Sequence, residues 1–122
     1  MFFDSRKKSD VVLVVEDDPD VRQTAVDLLE ANGFTVVEAA NGREALEIVG
    51  ADPTIRVMFT DVMMPGISGT TLAQRAMEIR PDLKVLLTSA FLRDAAVGDI
   101  EVLQKPYREE DLVARLEQQL RH

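Results

Sequence analysis

Short apolar runs alternate along the chain with longer stretches in which apolar residues recur at helical spacing. The first run, Val11–Val15, is uniformly apolar, as expected for a central strand that is covered on both faces. Four further short runs, rich in apolar residues, predict strands around Thr35–Ala39, Val57–Thr60, Val85–Leu87 and Val102–Leu103. The pattern therefore predicts five short strands.

Amphipathic helices are predicted between the strands. Asp18 and Pro19 have the form of a helix N-cap followed by proline at the first helical position, and Asn32-Gly33 ends that helix. The second helix is predicted over Gly42–Val49, and Pro81 closes the third. The apolar face of the final helix consists of Leu112, Val113, Leu116 and Leu120.

Strands that alternate with helices imply an α/β fold, with a parallel sheet, right-handed crossovers and helices on both faces. The connection between Ala90 and Glu101 has room for only about two helical turns, so its helix should be short or irregular. A chain of 122 residues suits one domain and leaves no room for a second. We interpret residues 1–10 as an N-terminal extension and residues 11–122 as the domain.

Charge and composition exclude several classes of protein. The formal net charge is -8, so direct binding to nucleic acid is not expected. The absence of cysteine excludes disulfides, zinc–thiolate sites and cysteine nucleophiles. The only histidine is His122, the last residue, which makes a Ser–His–Asp triad or a His-ligated metal site untenable. No apolar run reaches the length of a signal-peptide core or a membrane span, so we expect a cytoplasmic setting without membrane insertion.

Charged and hydroxyl-bearing residues lie at the carboxyl ends of the predicted strands. In chain order they are Glu16, Asp17, Asp18, Asp61, Thr88 and Lys105. Ligands bind outside the carboxyl ends of the strands in an open parallel sheet, so we expect these side chains to share one edge. Clustered carboxylates repel one another unless a cation is bound, and oxygen ligands suit Mg²⁺. A carboxylate can also attack phosphorus, while a metal, a lysine and a hydroxyl stabilise the phosphoryl oxygens.

Four motifs resemble those of response-regulator receiver domains. VVLVVEDDPDVR is similar to the first strand and acidic turn of that family, and FTDVMMPGISG to its phosphoacceptor strand and the following loop. VLLTSA and LQKPY resemble the two remaining site motifs, and the resemblance covers roughly residues 11–120. It implies a doubly wound, flavodoxin-like sheet of order 2-1-3-4-5. It also implies a phosphorylation switch of two-component or phosphorelay signalling, with a histidine kinase or histidine phosphotransfer protein as the phosphohistidine donor.

The resemblance assigns a Mg²⁺ site to the acidic residues, with Mn²⁺ as a possible substitute. Asp61 would be the phosphoryl acceptor and would also bind the metal. Asp17 would be a direct ligand, and Glu16 would act mostly through metal-bound water. Met63 would offer its backbone carbonyl.

The resemblance also assigns the phosphoryl contacts. Thr88 would bind a phosphoryl oxygen and move on activation, and Lys105 would pair with the phosphoryl group. The domain would then catalyse only its own phosphorylation and dephosphorylation. Pro106 follows Lys105 as in the family, where that peptide bond is often cis. Val102 departs from the family, because many receivers carry a Tyr or Phe there that swings inward. This and the short connection before the fifth strand resemble receivers of hybrid sensor kinases and some stand-alone receivers.

Three other functions remain to be weighed. A Mg²⁺-dependent phosphatase of the haloacid-dehalogenase type also uses a nucleophilic Asp after a parallel strand. That class requires a second Asp two residues later, where this chain has Met63. A pseudo-receiver scaffold would have lost an acid or the lysine, and this chain keeps them. In a flavodoxin-like electron carrier, EDDPD would repel the flavin phosphate. The domain is expected to be a monomer or a weak dimer.

Overall fold

The computed structural model describes residues 11–90 and 98–121. Within these ranges the chain forms five strands, which are β1 (Val11–Val15), β2 (Thr35–Ala39), β3 (Ile55–Asp61), β4 (Lys84–Ser89) and β5 (Glu101–Gln104). All neighbouring strands run parallel, in the order β2-β1-β3-β4-β5. The predicted doubly wound α/β fold is therefore confirmed.

The described ranges also contain four helices, which are α1 (Pro19–Ala31), α2 (Gly42–Ala51), α3 (Gly69–Ile79) and α4 (Glu109–Arg121). The helix α2 extends two residues beyond the predicted Val49, through Gly50. The N–H of Asp52 still donates to the Ile48 carbonyl at 2.8 Å, so one glycine does not end this helix. The predicted N-terminal extension, most of the short connection after Ala90, and His122 lie outside the described residues.

Two apolar clusters lie on opposite faces of the sheet. Leu13 and Val15 belong to the cluster under α2 and α3, whereas Val12 and Val14 belong to the cluster under α1 and α4. All of β1 is buried because helices cover both of its faces. Each large apolar side chain buried in this way contributes about 1.5–3 kcal/mol. The central strands therefore form a rigid support for the residues that follow them.

Side-chain caps fix the points where three helices leave the carboxyl edge of the sheet. Asp18 caps α1 as predicted, because its Oδ1 accepts hydrogen bonds from the N–H groups of Asp20 (2.9 Å) and Val21 (3.2 Å). Asn41 caps α2 and Ser68 caps α3 in the same manner. Each cap satisfies backbone donors that a helix start leaves unpaired.

Candidate functional site

The carboxyl edge of the sheet brings four of the predicted site residues together. Asp61 is the last residue of β3, and Thr88 is its register partner on β4. Glu16 directly follows β1, and Lys105 directly follows β5. All four line one small cavity of about 20 Å³, which is room for about one water molecule.

Both carboxylate oxygens of Asp61 have a donor. The residue is only 8% exposed, and its Oδ1 accepts a hydrogen bond from the Met63 N–H at 3.0 Å. The Oδ2 atom forms a close ion pair with the Lys105 ammonium. Lys105 is itself fixed to β4 through its backbone N–H, which donates to the Ser89 carbonyl at 2.8 Å. The loop after β3 and the residue after β5 thus orient the carboxylate from two sides.

Gly69, the first residue of α3, lies directly against the main chain of Asp61. A Cβ atom at this position would lie 2.1 Å from the Asp61 carbonyl oxygen, so a side chain there would require a shift of the backbone. The Gly69 N–H donates to the Val62 carbonyl at 2.9 Å, and Thr60 Oγ1 donates to the Asp61 carbonyl at 3.2 Å. The loop that carries Met63 is therefore closed at its base against the end of β3.

Thr88 carries a buried hydroxyl without a hydrogen-bond partner among the described residues. The residue is 4% exposed, and its Oγ1 atom is fully buried. Buried polar atoms are normally paired, and an unpaired one costs about 1–3 kcal/mol. A hydroxyl held unpaired beside a carboxylate and an ammonium is suited to bind an oxygen atom of a ligand.

Glu16 lines the cavity, whereas the next residue, Asp17, is not among the residues that line it. Burial raises the pKa of Glu16 to about 7, and a hydrogen bond with the Asp17 side chain and the charge of Asp61 also raise it. The Asp18 N–H, which donates to Glu16 Oε1 at 3.1 Å, opposes this rise in pKa. Asp17 is exposed to solvent. A carboxyl group whose pKa rises among other acids gains from a nearby cation.

The donor set fits a hard divalent cation. Within residues 11–90 and 98–121, no three Asp, Glu, His or Cys side chains are grouped closely enough to form a metal site by themselves. Mg²⁺ usually keeps several waters and takes only one or two carboxylates from a protein. Asp17, Asp61 and the carbonyl of Met63 offer oxygen donors of this kind. Met63 is 61% exposed, and its thioether is too soft a ligand for a hard cation, so only its backbone carbonyl is a candidate donor.

The sequence predicted no site role for two residues near the cavity. Tyr107 lines the same cavity, and its ring packs edge-on against Phe59 at a centroid distance of 5.9 Å. Burial, followed by the charges of Glu16 and Asp61, raises the pKa of its phenol. Arg22 reaches back from α1 and donates to the Glu16 carbonyl at 2.8 Å. The sequence signal that could have indicated a role was proximity to the site motifs, because Arg22 lies in VVLVVEDDPDVR and Tyr107 lies in LQKPY.

The geometry and the sequence define the same class of protein. The model of the response regulator receiver domain matches residues 12–117, and the chain belongs to this family. It is 38% identical over 115 residues to the response regulator receiver protein CpdR of Brucella abortus, covering 89% of this chain and 95% of CpdR. The chain spans only 13% of the sensor kinase CckA of the same organism, to which it is 34% identical over 121 residues.

Solved structures agree with this assignment. The receiver domain of the hybrid histidine kinase CckA has 39% sequence identity and a TM-score of 0.78, covering 90% of this chain and 98% of that chain. The response regulator TrrA of Thermotoga maritima, solved in complex with Mg²⁺-BeF, has 27% identity and a TM-score of 0.82, covering 91% and 99%. The predicted likeness to stand-alone and hybrid-kinase receivers is confirmed. Among the residues that the structure describes, none of the helices combines the length and the apolar character that a membrane span requires.

Proposed function

We propose that this receiver domain, residues 11–122, is a cytoplasmic switch activated when Asp61 accepts a phosphoryl group from a phosphohistidine donor in the presence of Mg²⁺. The observation that carries the proposal is the shared cavity of Asp61, Thr88 and Lys105, in which the Thr88 hydroxyl has no partner among the described residues. Family membership and the similarity to a histidine kinase receiver support a histidine kinase or histidine phosphotransfer protein as the donor.

Asp61 would supply the nucleophile. Attack of a carboxylate oxygen on the phosphorus forms the new O–P bond as the N–P bond of the donor breaks. The electron pair of that bond remains on the imidazole of the donor. The Met63 N–H and the Lys105 ammonium hold the two carboxylate oxygens, so little reorientation would precede the attack. The domain would thus catalyse its own phosphorylation and, with water as the attacking group, its own dephosphorylation.

Asp17, Asp61 and the Met63 carbonyl would hold Mg²⁺, with Glu16 acting through water, and Mn²⁺ would serve in its place. When bound, the ion would supply positive charge opposite the phosphoryl oxygens. The similarity to TrrA, whose structure contains Mg²⁺-BeF, supports this part of the proposal. Burial is the main cause of the raised pKa of Glu16, and the charge of Asp61 adds to it, so a cation at this edge would favour the ionised form of the acid.

Lys105 and Thr88 would bind the phosphoryl group once Asp61 carries it. Lys105 carries a compact charge on a flexible stem, so it can leave the Asp61 carboxylate and pair with a phosphoryl oxygen. Thr88 would then donate its hydroxyl to another phosphoryl oxygen and gain the hydrogen bond that it lacks within the described residues. That gain supplies a physical reason for a shift of β4 on phosphorylation. The switched domain would be a monomer or a weak dimer.

Intact mass spectrometry tests the proposal. Wild type, D61N and the control D27N, which changes an exposed acid of α1, are each incubated with Mg²⁺ and phosphoramidate. One added phosphoryl group is expected on wild type and D27N, and none on D61N or without Mg²⁺. Rapid dephosphorylation could hide this mass gain, so a beryllofluoride titration followed by NMR tests separately whether the site binds a phosphoryl analogue. No mass gain and no spectral change in wild type would contradict the switch and favour the scaffold function.

A further inference from the structure

Arg22 lies in the first turn of α1 and reaches back to the acidic turn that precedes the helix. Its Nη1 donates to the main-chain carbonyl of Glu16 at 2.8 Å, and its Nε donates to Oε1 of Glu38 at 3.2 Å. The Arg22 side chain is only 19% exposed. One guanidinium therefore ties the end of β1 to the neighbouring strand β2.

The Glu16 carbonyl lies at the point where the chain leaves β1. The N–H of Glu16 is still held by the sheet, where it donates to the Ala39 carbonyl at 3.2 Å. Beyond this point the chain leaves the strand and turns towards the Asp18 cap. A peptide group is planar, so whatever fixes the carbonyl of Glu16 also fixes the N–H and Cα of Asp17. Arg22 thus sets the direction in which Asp17 leaves the sheet.

The charge of Arg22 and its hydrogen bond to Glu16 would have opposite effects on Mg²⁺ binding. A guanidinium near the acids repels a bound cation, so its charge alone would weaken Mg²⁺ binding. Its hydrogen bond to the Glu16 carbonyl would strengthen binding by holding Asp17 in place. Removal of the side chain therefore changes the Mg²⁺ affinity in opposite directions under the two accounts.

We propose that Arg22 is a positioning residue of the cation site, which holds the Glu16–Asp17 peptide in the orientation from which Asp17 binds Mg²⁺. This inference rests on the proposed function, because it requires a Mg²⁺ site that includes Asp17. Arg22 touches neither the metal nor the phosphoryl group and acts only through the peptide.

Calorimetric titration of Mg²⁺ into wild type, R22M, R22K and E38Q tests the inference, at a temperature at which each protein is folded. Methionine keeps the apolar stem and removes the donors and the charge. Lysine keeps the charge but loses the two-pronged geometry. The control E38Q removes the ion pair with β2 and leaves the bond from Arg22 to Glu16.

We expect R22M to raise the Kd for Mg²⁺ about tenfold, the order of one charge-assisted hydrogen bond. The R22K value should lie between wild type and R22M, and E38Q should stay within about twofold of wild type. An unchanged or lower Kd in R22M overturns the inference. An equal loss in E38Q also overturns it, since the effect would then arise from the contact with β2.

Two further measurements separate this inference from the proposed site. If wild type binds no Mg²⁺, or if D17N binds it as tightly as wild type, the proposed site fails and the role of Arg22 fails with it. If D17N loses Mg²⁺ binding while R22M keeps it, only the role of Arg22 fails. Should R22M not fold, R22K decides, and a wild-type Kd in R22K then overturns the inference.

Discussion

Asp61 and Thr88 are paired residues of adjacent parallel strands, and the peptide after Asp61 remains bonded to β4 through a hydrogen bond of 3.0 Å from the Val62 N–H to the Thr88 carbonyl. Their side chains differ sharply in hydrogen bonding. Both oxygens of the acid have donors, whereas the hydroxyl has no partner among the described residues. The fold therefore accepts an unpaired hydroxyl at the position where a phosphoryl oxygen is proposed to bind.

The substitution T88V should separate stability from function. Valine has nearly the shape of threonine and removes the unpaired hydroxyl, so the free energy of unfolding should stay constant or rise by about 1 kcal/mol. Retention of beryllofluoride should fall, because a donor to the bound group is lost. Urea unfolding and a beryllofluoride titration by NMR measure the two effects.

The buried Thr60 provides a matched control for Thr88. Its hydroxyl donates to the Asp61 carbonyl at 3.2 Å, so T60V should lower the free energy of unfolding by about 1 kcal/mol. If T88V destabilised the protein as much as T60V does, the Thr88 hydroxyl would have a protein partner after all. The interpretation of Thr88 as a ligand-binding group would then lose its basis.

The close approach of Gly69 to Asp61 predicts a strong effect of one methyl group. G69A places a Cβ 2.1 Å from the Asp61 carbonyl oxygen, so the start of α3 or the end of β3 must shift. We expect a loss of about 1–3 kcal/mol in the free energy of unfolding, as for other overpacked positions. The rate of phosphorylation by phosphoramidate should also fall, because the shift moves the acceptor.

Gly50 is the matched control for Gly69, since a Cβ there would meet nothing within 4 Å. It lies inside α2, where alanine is favoured over glycine by about 1 kcal/mol. G50A should therefore leave phosphorylation unchanged and raise the free energy of unfolding. Equal phosphorylation rates in G69A and wild type would show that the loop tolerates the shift without moving Asp61.

The sequence predicted the features that depend on local signals. The Asp18-Pro19 pair specified the start of α1, and the apolar run Val11–Val15 gave β1 with its observed bounds. The location of the candidate site residues at one edge of the sheet also followed from the pattern, because all the strands run parallel. Gly50 was less informative, since a glycine lowers helix stability without always ending the helix.

The remaining features depend on contacts between distant parts of the chain. The need for glycine at Gly69 arises only because α3 starts against the backbone of Asp61. The unpaired hydroxyl of Thr88 could not be seen in a sequence, since threonine is common in strands. The contact between Tyr107 and Phe59 joins the segment before α4 to β3. None of these has a periodic or local signature.

Asp18 should contribute to stability through its cap rather than its charge. Its Oδ1 accepts two backbone N–H groups, so D18A should lower the free energy of unfolding by about 1 kcal/mol. Asparagine caps helices equally well, so D18N should be close to wild type in urea unfolding. D18N should also keep the Mg²⁺ affinity within about twofold if Asp17 is the ligand. A large loss of affinity in D18N would instead make Asp18 a ligand.

Tyr107 provides a pH-dependent signal from the site. Burial, then the charges of Glu16 and Asp61, raise the pKa of its phenol above the ordinary value of 10.0. The folded phenol thus keeps its proton at a pH where the unfolded phenol loses it. Its contribution to stability is complete below pH 10.0 and is lost as the pH rises through the folded-state pKa.

The absorbance of the phenolate measures this pKa directly, because the chain contains one tyrosine and no tryptophan. The titration midpoint in buffer should lie above the midpoint in concentrated urea. D61N should lower the midpoint only in part, since burial is the largest cause of the raised pKa and Asp61 contributes less than Glu16. Y107F should flatten the fall of unfolding free energy above pH 10.0. A midpoint in buffer at or below that in urea would mean that the phenol is not buried beside the acids, and Tyr107 would then have no place in the site.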